Sequence, residues 1–421
     1  MKHFCLLIVG LSFLCSCSGT GSRNMDNIID VESAVGTGKI CNASEFIKEI
    51  KYISLETSPN SMVGNIRKII INGGEMYIGD DKGVIKIFDL NGHYLSSFSK
   101  VGRGPEEYAS MTEFEIAPNG HIFVVSQGEG IIEYDDNFKF IRRLIPEKSE
   151  DAGFRDITLL KEGLFASNKL YFSIESGSMQ TWNIYDDSLN THFSCSVEAI
   201  SRTVVGGGEN RSPFVVMKII PYRYYMFDNT LNLYRQGNGN DTIFNIDIEN
   251  SYRKSARYIA YSGKYHFLSE MESGMDVNVS ALEAISLSDV IECDDYLFME
   301  FQFRGLAPEP FETGGTDVLI GNGEKINVGG EKNSWVYGVY NKNSGKLSLL
   351  NQPIPQKFGL KNDINNGAPF WPKSITKTQE LISWYNALEL ITLAEEGKID
   401  QSIVANLKED DNPVVVIAVP K

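Results

Sequence analysis

Cysteine is scarce in this chain. There are six in 421 residues, and three of them, Cys5, Cys15 and Cys17, crowd the N-terminus. The others, Cys41, Cys195 and Cys293, are isolated and odd in number, with no CxxC among them. That pattern supports neither a zinc knuckle nor a redox motif. One disulfide has room to form, but three buried thiols are the simpler expectation. Histidine is sparser still, five in all, and none forms an HExxH or a close pair. The GxxxxGK[ST] phosphate loop and the GxSxG nucleophile elbow are both absent. Basic residues are outnumbered, 39 Lys and Arg against 55 Asp and Glu, for a net charge of −16. An acidic chain is badly suited to wrapping a phosphate backbone, so nucleic acid is not an expected partner. Only one apolar run approaches membrane length, and it lies at the N-terminus, which excludes a polytopic bundle.

What is present begins with that run. Residues 1–16 read as a secretory signal: Lys2 and His3, then an apolar stretch from Phe4 to Leu14, too short to span a bilayer. Leu14-Cys15-Ser16-Cys17 places a small residue before a cysteine, the form of a lipobox, so Cys17 is the expected lipidated N-terminus. Several acyl chains, at roughly 0.8 kcal/mol per buried CH₂, hold such a protein on a membrane. Ser18 rather than Asp follows the cysteine, which by resemblance favours the outer membrane; no acidic cluster assigns it to one face. Residues 17–45 are polar and Gly-rich and read as a flexible tether.

The body is a repeat. Five segments carry alternating apolar residues, then an apolar or aromatic residue, then Asp or Asn: Ile85–Asp89, Ile131–Asp135, Trp182–Asp186, Ile243–Asp247 and Tyr337–Asn341. The first two spacings match the roughly 40–50 residue period of a four-stranded propeller blade. Period-2 alternation buries one strand face, and Asp89-Leu90-Asn91-Gly92 has the residues of a tight hairpin. Blades cover their apolar faces only by stacking into a ring. The expected fold is therefore all-β: a six-bladed propeller over residues 46–421, of four-stranded antiparallel blades with short helical insertions. The alternating Phe46–Glu56 and the apolar Val414–Val419 are expected to pair and close the sixth blade. The long interval before Tyr337 could hide a seventh copy, but an insertion reads better. Within it Val279–Val290 has helical spacing and Arg304–Asn333 reads as a long loop. Helices are also expected over Ala387–Glu396, stopped by Gly397, and Gln401–Lys408, capped by Asp400.

Four landmarks stand in order along this body: Tyr52–Thr57, the GRGPEEY run Gly102–Tyr108, Asn362-Asp363-Ile364 leading to Pro369-Phe370-Trp371-Pro372, and Asp411–Val414. Together, behind a lipobox, they resemble the six-bladed β-propeller lipoproteins of Gram-negative gut bacteria, NHL-like in blade architecture. The resemblance implies the fold, an envelope location and a nutrient-uptake context with envelope transport proteins as candidate partners. It implies no reaction and no catalytic residues.

Candidate ligand contacts follow from residue chemistry. Arg103 offers a planar fork for an anion, and Glu107 and Tyr108 offer hydrogen bonds. Arg202 and Arg211 flank a triple glycine, Arg304 opens the insertion, and Asp363 with Trp371 has the makings of a carbohydrate platform. Each also has a structural reading, as a corner, a loop or a plug. The lone histidines and the adjacent acidic pairs suggest no catalytic set, and no metal or cofactor is expected. A binding module for an oligosaccharide or peptide is the leading expectation; a glycan hydrolase or lyase and a docking scaffold are the alternatives. Cys17→Ser is expected to leave the chain unlabelled by a palmitate analogue and in the soluble fraction. Retention of that variant in the membrane would contradict the anchor.

Overall fold

The computed structural model describes residues 28–421 apart from 127, 146–153, 155, 162, 174–176, 199, 206–213, 220–221, 236–241, 248–251, 261–283, 305–315, 320–324 and 329–334. The strands form a six-bladed β-propeller of four-stranded antiparallel blades. Blade 1 comprises Ile66–Asn72, Glu75–Asp80, Ile85–Asp89 and Tyr94–Phe98. Blade 2 comprises Glu113–Ile116, Ile122–Ser126, Gly130–Tyr134 and Phe140–Leu144. Blade 3 comprises Thr158–Lys161, Leu164–Ser173, Gly177–Asp186 and Thr191–Glu198. Blade 4 comprises Tyr222–Phe227, Thr230–Arg235, Thr242–Asp247 and Tyr252–Ala260. Blade 5 comprises Ala284–Glu292, Tyr296–Arg304, Trp335–Asn341 and Lys346–Leu350. Blade 6 takes Ser374–Ile375, Leu381–Tyr385 and Val414–Pro420 from the C-terminal end and Ile47–Ser54 from the N-terminal end. The register of that closure runs from Ile47↔Pro420 to Ser54↔Val414.

The repeat segments are the third strands of blades 1 to 5. Their apolar residue packs into a seam between blades, and the acidic residue after it builds the next turn. Asp89 Oδ1 accepts from the backbone N–H of Asn91 and His93 at 2.8 and 2.9 Å. Asp135 does the same with Asn137 and Lys139, and Asp186 with Ser188 and Asn190. The carboxylate satisfies donors that a turn leaves unpaired, so the motif is a turn lock. A bond to the His93 ring is the main reason the Asp89 carboxyl is held at about 2.

Six apolar clusters fill the six seams. The seam between blades 2 and 3, for example, holds Phe123, Val125, Ile131, Leu144, Phe154 and Phe165. Turns after first and third strands gather on one face of the ring, and connections after second and fourth strands on the other.

Several expectations are corrected. From Ile28 onward the supposed tether is packed: Ile28–Asp30 adds a fifth, parallel strand to blade 4, and Ile29, Val31, Cys41 and Ala43 are fully buried. The alternation of Ile29 and Val31 supplies the buried face. Residues 284–290 are strand, not helix, because Ile285, Leu287 and Val290 fill the seam with blade 4 across a bulge at Ser288. The supposed loop 304–333 contains a hairpin, Thr316–Leu319 with Lys325–Val328; a second, Ile200–Val205 with Phe214–Ile219, lies between blades 3 and 4. The helix Ala387–Glu395 buries Leu390, Leu393 and Ala394 against Ala368, Ile399 and Val414. Beyond it Gln401–Val404 is a single 3₁₀ turn, with Asp400 capping Ser402. Cys41, Cys195 and Cys293 are free thiols, the first and last buried.

Gly92 joins two blades. Its φ is +88°, and a Cβ there would lie 2.2 Å from the Ser54 carbonyl oxygen of the closing strand. Gly73 has a similar φ of +59° but open space around it. Gly92→Ala should therefore destabilise by roughly 2–3 kcal/mol and Gly73→Ala by about 1 kcal/mol, read by urea unfolding. Equal losses would contradict the close approach.

Candidate functional site

The first strands line the central channel; one charged cluster gathers among them, and a second lies where blade 5 meets blade 6. In the first, the Lys68 ammonium lies 3.0 Å from Glu113 and 2.7 Å from Glu115 and also donates to the Phe114 carbonyl. Burial alone would lower the pKa of Lys68, but the two carboxylates more than offset it and raise it. Asp156 accepts from the Asn168 backbone and side chain at 3.3 and 2.5 Å. Burial and the Glu113 charge lift its carboxyl to about 7. In the second cluster, the Trp371 indole donates to Glu300 at 2.9 Å. Burial and the Asp289 charge lift Glu300 to about 7, against that hydrogen bond.

These placements decide several sequence candidates. Trp371 is 7% exposed, stacked on Tyr337 at 4.4 Å and edge-on to Phe298, so it plugs the seam between blades 5 and 6 and offers no open platform. Tyr108 has no exposed surface. Its hydroxyl donates to Gly83 O at 2.9 Å and accepts from Lys100 N at 3.1 Å. The Glu107 carboxylate folds back to accept from Gly104 N at 2.7 Å, and a Cβ on Gly102 would collide with it at 1.9 Å. Arg143 clamps the same run through the Glu107 carbonyl at 2.6 Å, and Tyr134 through the Glu106 carbonyl at 2.8 Å. GRGPEEY is thus a corner joining blades 1 and 2, with Arg103 alone among its candidates exposed. Asp363 accepts from Ser44 N at 2.9 Å and Ser44 Oγ at 2.6 Å, tying the N-terminal segment to the ring. Arg202 lies in the first hairpin strand and Arg304 ends a strand of blade 5; neither side chain is described. Arg211, His266 and Cys17 lie outside the described residues. The structure does not bring the described candidates together.

It assembles a different set. A cleft of about 540 Å³ opens between blades 2 and 3 on the face carrying the first-strand turns. Its walls include Phe123, Leu144, Leu159 and Leu164, and Lys377 from the turn of blade 6, across the ring, reaches its lining. The cleft therefore opens at the channel mouth. Three side chains cross its blade 2 wall in a row. His121 Nδ1 lies 2.8 Å from Glu133 Oε1, and Arg142 Nε donates to Glu133 Oε2 at 2.6 Å. Arg142 Nη1 also donates to the Asp187 carbonyl at 2.8 Å. Among the described residues no cluster of three or more His, Cys, Asp or Glu side chains could hold a metal.

The repeat shows how unusual this row is. Cross-strand register equates Glu133 with Ile87 of blade 1, Ile184 of blade 3 and Val339 of blade 5. Those three are 3%, 1% and 1% exposed and seal their seams with apolar surface. Blade 4 has Asn245 there, a neutral amide bonded to Asn232 at 2.6 Å. Arg142 stands where blades 1, 3 and 5 have Ser96, Phe193 and Ser348. A carboxylate buried at such a position costs several kcal/mol unless paired, and Glu133 needs both partners. Glu133, Arg142 and Lys377 escaped the sequence reading. The visible signal was the charge at Glu133 itself, two residues before Asp135, where the matching position is Ile87, Ile184 or Val339 in three segments and Asn245 in the fourth.

The chain matches, over residues 26–419, the family described as Domain of unknown function (DUF4934). It belongs to that family. No curated protein matches it. Among solved structures it is similar to a Bacteroides fragilis NCTC 9343 protein described as "Putative exported protein". That likeness has 16% identity and a TM-score of 0.59, covering 94% of this chain and 99% of the other. A second likeness, with 11% identity and a TM-score of 0.37, is to the extracellular domain of a two-component system of B. thetaiotaomicron. It covers 87% of this chain and 40% of that one, and no argument rests on it. DUF4934 thus has this propeller among its members.

Glu300 generates a pH prediction. Its carboxyl is raised from 4.5 to about 7 in the folded protein, so between those values the folded state holds a proton that the unfolded state has lost. Stability from this group is full below about pH 4 and falls as pH rises towards 7. Glu300→Gln should be neutral at pH 5 relative to its effect at pH 8, where it should stabilise by on the order of 2 kcal/mol in urea unfolding. Destabilisation at pH 8 would show that the buried carboxyl is not raised.

Proposed function

We propose that this chain is a lipid-anchored binding module of the outer membrane, carried on Cys17, that takes an oligosaccharide or peptide in nutrient uptake. Envelope transport proteins are its proposed partners. The exported Bacteroides protein of the same fold supports an envelope location, and the lipobox supports the anchor. The observation that carries binding is the His121–Glu133–Arg142 row bordering the cleft between blades 2 and 3. Three other seams close this position with apolar or small side chains; this one keeps a paired charge and an open volume beside it. A largely apolar pocket with a few convergent polar groups is how small-molecule sites are usually built.

A second reading has one observation in its favour. Glu133 holds the His121 ring by Nδ1, which leaves Nε2 free to take a proton, as a general base would. Turnover of a ligand in the cleft would promote this reading over simple binding.

Leu159 lines the cleft and is half-buried, so Leu159→Trp should fill it without disturbing a strand pair. Screened by thermal shift against glycans and peptides, the wild-type chain should gain a saturable rise in midpoint with one class. Leu159→Trp should keep the ligand-free midpoint within about 3 °C and lose the rise. A ligand shift undiminished in Leu159→Trp would remove the cleft from the account.

A further inference from the structure

Resting on the cleft as the binding site, we infer that its ligand is a carboxylate on an apolar body, of the kind offered by the C-terminal end of an apolar peptide or by a medium-chain fatty acid. Few polar groups at the cleft still have bonds to make. Glu133 has none of its strong positions free: Oε1 faces His121 Nδ1 and Oε2 takes the Arg142 Nε–H. The carboxylate therefore cannot serve as the main acceptor for a sugar hydroxyl. Arg142 has spent Nε on Glu133 and Nη1 on the Asp187 carbonyl. Its Nη2 is 3.7 Å from Asp187 Oδ1, beyond hydrogen-bond length. Lys377 reaches the lining with its ammonium unpaired among the described residues. The spare donors are thus cationic, in an Arg and a Lys on two sides of one opening; the acceptors that remain are His121 Nε2 and the Asp187 carboxylate, which is 62% exposed and already faces the Arg142 guanidinium.

Apart from Asn119 and Asp187, the rest of the lining is apolar or glycine. Phe123 and Leu144 from blade 2 face Leu159 and Leu164 from blade 3. Such walls reward hydrocarbon at roughly 25 cal/mol per Å² removed from water and give nothing to a ring of hydroxyls. The two aromatics in the lining, Phe123 and Phe165, are 8% and 3% exposed, too deep to present a stacking face to a sugar. An ammonium head would meet Arg142 and Lys377 with like charge, and of the two carboxylates in the lining Glu133 is already paired and Asp187 lies out at the exposed rim. A carboxylate head completes the guanidinium and the ammonium while its apolar body fills the volume. The inference therefore selects the peptide over the oligosaccharide and adds the fatty acid as the second source of the same chemistry.

The test uses the mature chain without its lipid and four probes: N-acetyl-Leu-Leu, its C-terminal amide, decanoate and decan-1-ol, by isothermal titration calorimetry. At least one carboxylate should bind tenfold or more tightly than its neutral counterpart. Lys377→Gln, an exposed and turn-borne change, should cut that advantage at least threefold and leave the neutral probe unchanged. Leu159→Trp should abolish binding of all four. Preference for N-acetyl-Leu-Leu over decanoate names the peptide as the source, and the reverse names the fatty acid. Equal affinity for carboxylate and neutral probe, or indifference to Lys377→Gln, overturns the inference. If none of the four binds but a glycan from the wider screen does, in a manner lost in Leu159→Trp, the class is wrong and the cleft stands. If Leu159→Trp leaves every ligand bound, the cleft itself falls.

Discussion

The pairing of Ile47–Ser54 with Val414–Pro420 is the contact on which the ring depends. A propeller blade has two apolar faces, and each is covered only by a neighbour. Six blades in a row would leave two faces wet and two sheet edges open. Drawing the first strand of the ring from one end of the chain and the last from the other removes both liabilities at once. The cost is order: the paired residues lie 360 or more positions apart, from Ser54↔Val414 outward, and loop closure over that length gives no reward until the ring is complete. The locks around the closure follow from this. Asn412 donates to the Glu56 and Ser61 carbonyls and accepts from Val63 N at 2.9 Å, and Gly92 lets blade 1 press on Ser54.

Once the ring is closed, each seam must be sealed, and this sets the meaning of any polar residue found there. The seam between blades 4 and 5 holds a buried carboxylate too, Glu292, but it is bonded by Tyr225, Arg257 and Lys342 at 2.8, 2.5 and 2.9 Å. That cluster ties the blades together. At the seam between blades 2 and 3 the pairing runs along one wall, from His121 through Glu133 to Arg142, and reaches blade 3 only at Asp187. The opposite wall is mostly apolar, with Leu159, Leu160, Leu164 and Phe165, and a volume remains between them. Charge that meets the far wall at a single exposed residue contributes little to holding the seam, so the row is better explained by what enters the volume.

The legibility of this chain divides along physical lines. Third strands could be read because the repeat couples two requirements, an apolar residue for the seam and an Asp or Asn for the turn, at adjacent positions such as Phe88-Asp89 and Tyr185-Asp186. The closing strands could be read because an apolar run such as Val414–Val419 has to be buried somewhere. Residues 284–290 misled because Ile285, Leu287 and Val290 straddle a bulge, which imitates helical spacing. Residues 28–45 misled because their composition is polar while the few apolar residues, Ile29 and Val31 among them, do the packing. The candidate contacts were chosen for side-chain chemistry, and chemistry does not say whether a partner already occupies the group: Tyr108, Glu107 and Asp363 all have theirs. The cleft was hidden for the opposite reason. His121, Glu133, Arg142 and Lys377 come from the turn before one strand, two further strands and a distant turn, and only the register of blade 2 and the curvature of the ring bring them together.

The central claim is that the charged row serves a ligand and not the fold. Equilibrium unfolding of a triple variant, His121→Leu, Glu133→Ile and Arg142→Phe, tests it most directly, because it installs the row that blade 3 carries as Leu164, Ile184 and Phe193. Replacing a buried ion pair with apolar groups of similar volume is often neutral or stabilising by about 1–4 kcal/mol. The account predicts a variant at least as stable as the natural chain. A loss of several kcal/mol would show that the row holds the seam together, and would contradict it.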